Sequence, residues 1–246
     1  MSSKSNIAFL DGCSLTFNKL DEIIFQGKNI DLSEEAWEKV FKSRKAIDDM
    51  MADPNKVVYG VTTGFGSFAN VSISHEDREK LQVNLIRSHS VGVGEPVSLE
   101  IVRRMLILRI NTLSKGRSGV RPETLKKMIK AYNSHFYPFV PCQGTVGASG
   151  DLAPLAHLAL GLLGEGLAYD VESSTYKPAE EVMAKLGLEK IHLMEKEGLA
   201  LINGTQFMAA FISAAATTID KIFYSSLTLF AFFTEIFGIN RQLFTE

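Results

Sequence analysis

From Gly198 to Ile219 the chain runs about 22 residues without a formal charge, the length that a bilayer-spanning helix requires. Two folds accept such a run: a membrane span, or a helix in the middle of a large bundle. Asn203, Gly204, Thr205, Gln206, Thr217 and Thr218 dilute its apolar character, and its flanks carry no marked Lys/Arg asymmetry. The run therefore predicts a bundle core helix, with no membrane partner. The next stretch adds to the packing demand. Ile222 to Phe237 holds Phe223, Tyr224, Phe230, Phe232, Phe233 and Phe237, an aromatic face that has to be covered by something. Glu246 arrives before any segment that would cover it, so the sequence reads as cut inside a domain.

The 246 residues are 46% hydrophobic and 22% charged, enough apolar mass for a sizeable core in one large domain or part of a larger one. A net charge of -2 gives no electrostatic reason to expect nucleic acid or an acidic membrane as partner. Met1 to Asn6 lead into no apolar run of signal-peptide length, which points to a cytoplasmic protein. Cys13 and Cys142 are far apart and lack metal-type spacing, so free thiols are expected, with neither a disulfide framework nor a metal site. Asn70 and Asn203 begin glycosylation sequons, which have no chemistry without export.

Most of the chain reads as helix. Ile7 to Leu10 is a short strand candidate ending at Asp11-Gly12, and Leu15 to Phe25 a short helix. Ser33 caps a clearer helix through Trp37, Val40, Phe41, Ile47 and Met51 that Pro54 ends. Ser74 and Asp77 resemble a capping box for a helix running to His89. Ser98 opens another over Ile101 to Leu113, and Pro122 starts the next. Val171 to Lys177 reads as a polar excursion, Ala179 to Leu186 as a small exposed helix closed by Gly187, and Leu199 onward as a long apolar helical stretch, with Asn203 by itself an amide in a helical bend. Arg103, Arg104, Arg109, Lys115, Arg117 and Arg121 read as a solvated or intersubunit surface.

One loop stands out chemically. Gly144-Thr145-Val146-Gly147-Ala148-Ser149-Gly150 runs into Asp151-Leu152-Ala153-Pro154 and a segment apolar nearly all round, the mark of a helix buried on most sides. Asp151 suits an N-cap, and Pro154 is tolerated in the first turn. The helix start favours negative charge at the loop, as an anion site or a reactive electrophile. Composition alone makes this a glycine-rich turn. A sharper reading is self-modification: the amide nitrogen of Gly150 attacks the carbonyl carbon of Ala148, water leaves to close an imidazolone, and dehydration of Ser149 leaves a methylidene group. A phosphate loop is disfavoured, because the lysine and Ser/Thr ending of a P-loop is missing.

Four separated motifs, in order, decide between these. Tyr59-Gly60-Val61-Thr62-Thr63-Gly64-Phe65-Gly66, Asn84 to Ser90, Gly144 to Leu155, and Glu197 to Gln206 together resemble the aromatic amino acid ammonia-lyases, and within them most closely the histidine ammonia-lyases. The similarity runs from about Leu15 to the C-terminus and covers only the N-terminal part of these longer proteins. It implies a mainly α, L-aspartase-like helical fold, with residues 1–198 forming the prosthetic-group domain and 199–246 the start of the central bundle. It also implies that Ala148, Ser149 and Gly150 condense into a methylidene-imidazolone group (MIO), with no metal or diffusible cofactor.

The resemblance assigns the remaining roles. Tyr59, by itself an amphipathic side chain at a loop edge, becomes the base that removes the substrate β-proton. His89, by itself a helix-end histidine with a structural hydrogen bond, becomes a contact to the substrate side chain. Asn203 hydrogen-bonds the prosthetic group, and Gln206 supports the same face. Asp151 caps its helix or assists serine dehydration. The implied activity is elimination of ammonia from L-histidine to give trans-urocanate, by a homotetramer. A second tyrosine, a carboxylate-binding arginine, a phenylalanine and a glutamate come from later family sequence, so residues 1–246 alone are expected to be inactive. The alternatives are a tyrosine or phenylalanine lyase or aminomutase, and a non-catalytic fragment that associates with a full-length lyase.

Overall fold

A computed structural model describes residues 6–52 and 75–238 of the chain. Strand β1 (Ile7–Leu10) pairs in parallel with β2 (Asn29–Leu32), and helix α1 (Phe17–Phe25) makes the crossover between them. Thr16 caps α1, its hydroxyl accepting the Lys19 N–H at 3.3 Å. Ser33 caps α2 (Glu34–Met51) in the same way through the Ala36 N–H, and Glu34 and Glu35 sit in the first turn where the dipole favours them. Pro54 and Ser74, expected to end one helix and open the next, lie outside the described residues. Next come α3 (His75–His89), strand β3 (Val93–Pro96), α4 (Leu99–Leu113) behind its Ser98 cap, and α5 (Pro122–Asn133) with proline at its start.

Strand β4 (Pro141–Gln143) pairs antiparallel with β3 and leads through the glycine loop into α6 (Leu152–Leu162). The polar excursion is the turn of a hairpin between β5 (Leu167–Asp170) and β6 (Thr175–Pro178). Its turn is tied down by the Asp170 carboxylate, which accepts from the Glu172 N–H, the Ser173 hydroxyl, Lys177 and Lys185. Helix α7 (Ala179–Lys185) is less exposed than its sequence suggests, because Ala179, Val182 and Met183 are buried. Two further helices follow, α8 (Glu197–Ile202) and α9 (Gln206–Ile236).

The core gathers around α4 and α6. Helix α4 packs on α1, α5 and α9, burying Met105, Leu106, Ile107 and Ile110. Helix α6 buries Leu155, Ala156, Leu158, Ala159 and Leu162, so its all-round apolar character corresponds to burial on most sides. Gly161 is required there: a Cβ would stand 2.6 Å from Pro138 Cβ.

Two sequence expectations are overturned. The arginines of α4 are not a solvated surface, since Arg103, Arg104 and Arg109 are 8%, 1% and 3% exposed. Arg103 donates to the Tyr132 hydroxyl at 3.0 Å and lies over that ring, while Arg104 pairs with Asp21 and Glu100. Nor is the apolar stretch after Leu199 one helix. It breaks at Asn203–Thr205 and restarts as α9, whose buried residues Gln206, Phe207, Ala210 and Ser213 all belong to its first turns. Beyond Ile219 the aromatic side chains of α9 are exposed. Taken with α8, this is among the described residues a stretch long and apolar enough to cross a membrane by length and composition alone.

Candidate active site

The glycine loop is pinched by one hydroxyl. Thr145 Oγ1 accepts the Gly147 N–H at 3.1 Å and donates to Asp151 Oδ1 at 3.1 Å, drawing the two ends of the segment together. Gly147 has φ 66°, a left-handed conformation that side-chain-bearing residues resist, and a Cβ there would run into Met208 Sδ. Gly144 passes close to Gly92, with room for a Cβ only 3.1 Å from the Gly92 Cα. At the tip Val146 is 95% exposed, and Ala148 and Ser149 are exposed beside it. The three residues expected to condense thus sit at the rim of a loop whose base is fixed.

Asp151 does not cap its own helix, contrary to the sequence reading. Its side chain makes no cap hydrogen bond to α6. The carboxylate, 0% exposed, accepts the Met208 N–H at 2.9 Å as well as the Thr145 hydroxyl. Met208 lies in the first turn of α9, so Asp151 caps α9 across a separation of 57 residues. Its backbone N–H donates to the Gly204 carbonyl at 2.7 Å. Loop and helix break are therefore joined by both the main chain and the side chain of the residue after Gly150.

The break is held from its other side by Arg109. The guanidinium donates to the Asn203 carbonyl at 3.0 Å, to the Ala200 carbonyl, and to Gln206 Oε1 at 2.8 Å. Gln206 in turn donates to the Thr112 hydroxyl at 3.1 Å, so it braces the break from behind. Gly204 has to be glycine, because a Cβ would overlap both Arg109 and the Gln206 side chain. Gly150 rests on this platform: a Cβ built on it would be 3.3 Å from the Gly204 carbonyl oxygen and 3.7 Å from Asn203 Oδ1. Asn203, expected beside the condensing residues, is thereby brought to them.

Helix α3 approaches from a third direction, packing on α6 and α8. Gln82, buried on α3, accepts the Gly198 N–H at 3.0 Å. His89 closes α3 half-buried, with Nδ1 2.9 Å from the Leu85 carbonyl. That carbonyl can only accept, so Nδ1 carries the proton in this contact and Nε2 of a neutral ring keeps its lone pair. The chain after His89 is anchored to α6 by the Gly92 N–H, which donates to His157 Nε2 at 3.0 Å. Burial lowers the His157 pKa, which keeps the imidazole neutral and able to accept. Tyr59 and its loop lie outside the described residues.

His157 and Arg109 carry positions that no motif signalled, and Glu197 opens one of the motifs without a role being assigned to it. Glu197 is buried and accepts from the Arg121 N–H and guanidinium and from the Met194 N–H, which sets the start of α8. Glu and Arg at these spacings are indistinguishable in sequence from solvated charges. Only the inward face of α4 and the apolar neighbours of Glu197 hint otherwise.

The mainly helical fold is that of solved aromatic amino acid lyases and aminomutases. Residues 15–246 match the family described as aromatic amino acid lyase, and the chain belongs to that family. It is 46% identical to histidine ammonia-lyase of Halalkalibacterium halodurans over 90% of this chain and 43% of that protein. It is 44% identical to the enzyme of the same name from Geobacillus thermodenitrificans over 95% of this chain and 47% of that protein. Among solved structures, histidine ammonia-lyase from Trypanosoma cruzi superposes with a TM-score of 0.82 at 46% identity, covering 88% of this chain and 41% of the other. A phenylalanine aminomutase from Pantoea agglomerans superposes equally well, with a TM-score of 0.82 at 30% identity over 90% of this chain and 42% of its own. The chain spans less than half the length of the curated relatives it matches.

Proposed function

We propose that the protein is a histidine ammonia-lyase, which eliminates ammonia from L-histidine to give trans-urocanate, with MIO formed from Ala148, Ser149 and Gly150. The observation that carries this reading is the seating of Gly150. The loop is pinched by Thr145, and Gly150 lies against the Gly204 carbonyl with Asn203 Oδ1 beside it. A glycine nitrogen is an unhindered nucleophile, Ala148 tolerates compression, and Ser149 carries the hydroxyl that leaves. Once formed, the group supplies an electrophilic carbon. Asn203 is proposed to hold it by a hydrogen bond.

Tyr59 is the proposed base for the substrate β-proton. Its phenol, near 10 in an ordinary peptide, has to be lowered by its neighbours to serve, which favours an alkaline optimum. His89 is proposed to contact the substrate imidazole, its Nε2 lone pair accepting that ring's N–H. The protein is proposed to be a cytoplasmic homotetramer, with residues 1–198 as the prosthetic-group domain and 199–246 opening a shared bundle. The exposed aromatic face of α9 is consistent with burial in such a bundle. The activity is proposed for a protein of the relatives' length, of which this chain spans less than half.

Urocanate release from L-histidine by the full-length protein, followed by its ultraviolet absorbance, tests the reading against L-tyrosine and L-phenylalanine. Turnover of L-histidine, lost in Ser149→Ala and shifted away from histidine in His89→Leu, is the expected result. Turnover confined to tyrosine or phenylalanine would overturn the substrate assignment.

A further inference from the structure

Arg109 presents an energetic problem that Arg104 on the same helix does not share. Arg104 is as deeply buried, but it pairs with Asp21 and Glu100. Among the described residues the Arg109 guanidinium donates to neutral acceptors: two main-chain carbonyls and an amide oxygen. Its Nε has no hydrogen-bond partner among the described residues. A cation removed from water without a counter-charge loses hydration that neutral acceptors only partly replace. Burial accordingly lowers the Arg109 pKa to about 10. A neutral side chain of similar length would pack here at lower cost, so what the charge holds has to account for its presence.

It holds the end of α8. The carbonyls of Ala200 and Asn203 lie where helix carbonyls lack partners and where the helix dipole is negative, the place for a capping cation. The other side of the break carries the complementary device, the Asp151 carboxylate on the α9 N-terminus. Cation and anion thus clamp Asn203-Gly204-Thr205 between them. Within that clamp the Gly204 carbonyl is aimed at the Asp151 N–H, 2.7 Å away, and forms the surface on which Gly150 rests.

We propose that Arg109 is a positioning residue for self-modification of the loop: seated on the Ala200 and Asn203 carbonyls, it fixes the helix break against which Gly150 is held for attack on Ala148. The inference rests on the reading of Ala148-Ser149-Gly150 as a self-condensing segment. In that condensation the Gly150 nitrogen bonds to the Ala148 carbonyl carbon. The Ala148 oxygen leaves as water with the amide hydrogens of Gly150 and Ser149, and the Ser149 hydroxyl leaves with its α-hydrogen as a second water. No oxidant or co-reactant is needed. Both losses depend on the nitrogen being held near the carbon, and a misplacement of about 1 Å slows such a step about 100-fold.

The test is a time course of intact mass on newly synthesised full-length chains, scoring the fraction two waters lighter, with the ultraviolet absorbance of the modified loop as a second readout. Wild type, Arg109→Met, Arg109→Lys and Ile110→Val are compared, each checked for folding by circular dichroism and thermal melting. Ile110→Val removes a buried methyl group from the same helix without touching the break. We expect closure about 100-fold slower in Arg109→Met, about tenfold slower in Arg109→Lys, which keeps the charge but not the fork, and unchanged in Ile110→Val. Closure at the wild-type rate in a folded Arg109→Met overturns the proposal. If Arg109→Met does not fold, Arg109→Lys decides: slowed closure supports the proposal and wild-type closure overturns it. A wild type that never loses the two waters refutes the self-condensing reading itself and is distinguished by that from a failure of the Arg109 assignment alone.

Discussion

Removing the Asp151 carboxylate should damage a helix that begins 55 residues further along the chain. In Asp151→Ala the Met208 N–H loses its acceptor in a partly buried setting, costing about 1.5 kcal/mol. Loss of a negative charge at the α9 N-terminus costs about 0.5 kcal/mol more. Thr145 keeps its weaker contact with the Gly150 carbonyl, so its share is about 0.5 kcal/mol. The total is about 2.5 kcal/mol. Asp151→Asn keeps an oxygen for the Met208 N–H, and the Thr145 hydroxyl can turn to accept from the new amide. About 1 kcal/mol is expected, about half from the lost charge at the helix terminus and half from a hydrogen bond that is no longer charge-assisted. Urea unfolding of the full-length protein gives the two energies, and hydrogen exchange at the Met208 amide locates them. Exchange should accelerate in the alanine variant and change little in the asparagine variant. Equal losses in the two variants, or unchanged exchange at Met208 in Asp151→Ala, would refute the cross-helix cap.

Gly204→Ala should cost about 2 kcal/mol by overpacking against Arg109 and Gln206, read as a lowered urea midpoint, whereas Gly187→Ala, with open space around its Cβ position, pays only for its positive φ of 62°. Glu197→Ala leaves Arg121 and the Met194 N–H without their buried acceptor and should cost about 3 kcal/mol in the same assay. Stability should also fall in mild acid through His157. Burial holds its folded-state pKa below the ordinary 6.5, so between those two values the unfolded chain binds more protons and stability rises with pH. The contribution is constant above about pH 6.5 and is lost as pH drops below it. His157→Gln should flatten this part of the pH–stability curve; an unchanged slope would remove His157 as its source.

The helices were legible where they are capped by their own neighbours. Thr16 was not singled out in the sequence, but Ser33 and Ser98 were, and each caps the helix expected of it. Helix α6 was legible because burial on most sides leaves an all-round apolar signature. What stayed hidden was set by partners remote in sequence. Asp151 occupies an N-cap position, yet its acceptor role is claimed by α9, and nothing in a local window reveals that competition. The α4 arginines carry the same letters whether they face solvent or carbonyl groups about 90 residues away. The break at Asn203–Thr205 is masked because apolar periodicity continues on both sides of it, with only the Asn-Gly-Thr run marking the place. Of the candidate site, the loop residues, Asn203 and His89 were legible as motifs, while the clamp that seats them was not.

A loop that rebuilds its own backbone records the change in the protein's mass. The most direct test is the intact mass of the purified full-length protein beside Ser149→Ala. Wild-type protein should be lighter than its sequence by two waters, with the deficit confined to a fragment spanning Ala148 to Gly150, and the variant should not lose both waters. A folded wild-type protein whose mass equals that of its unmodified sequence would contradict self-modification of the loop.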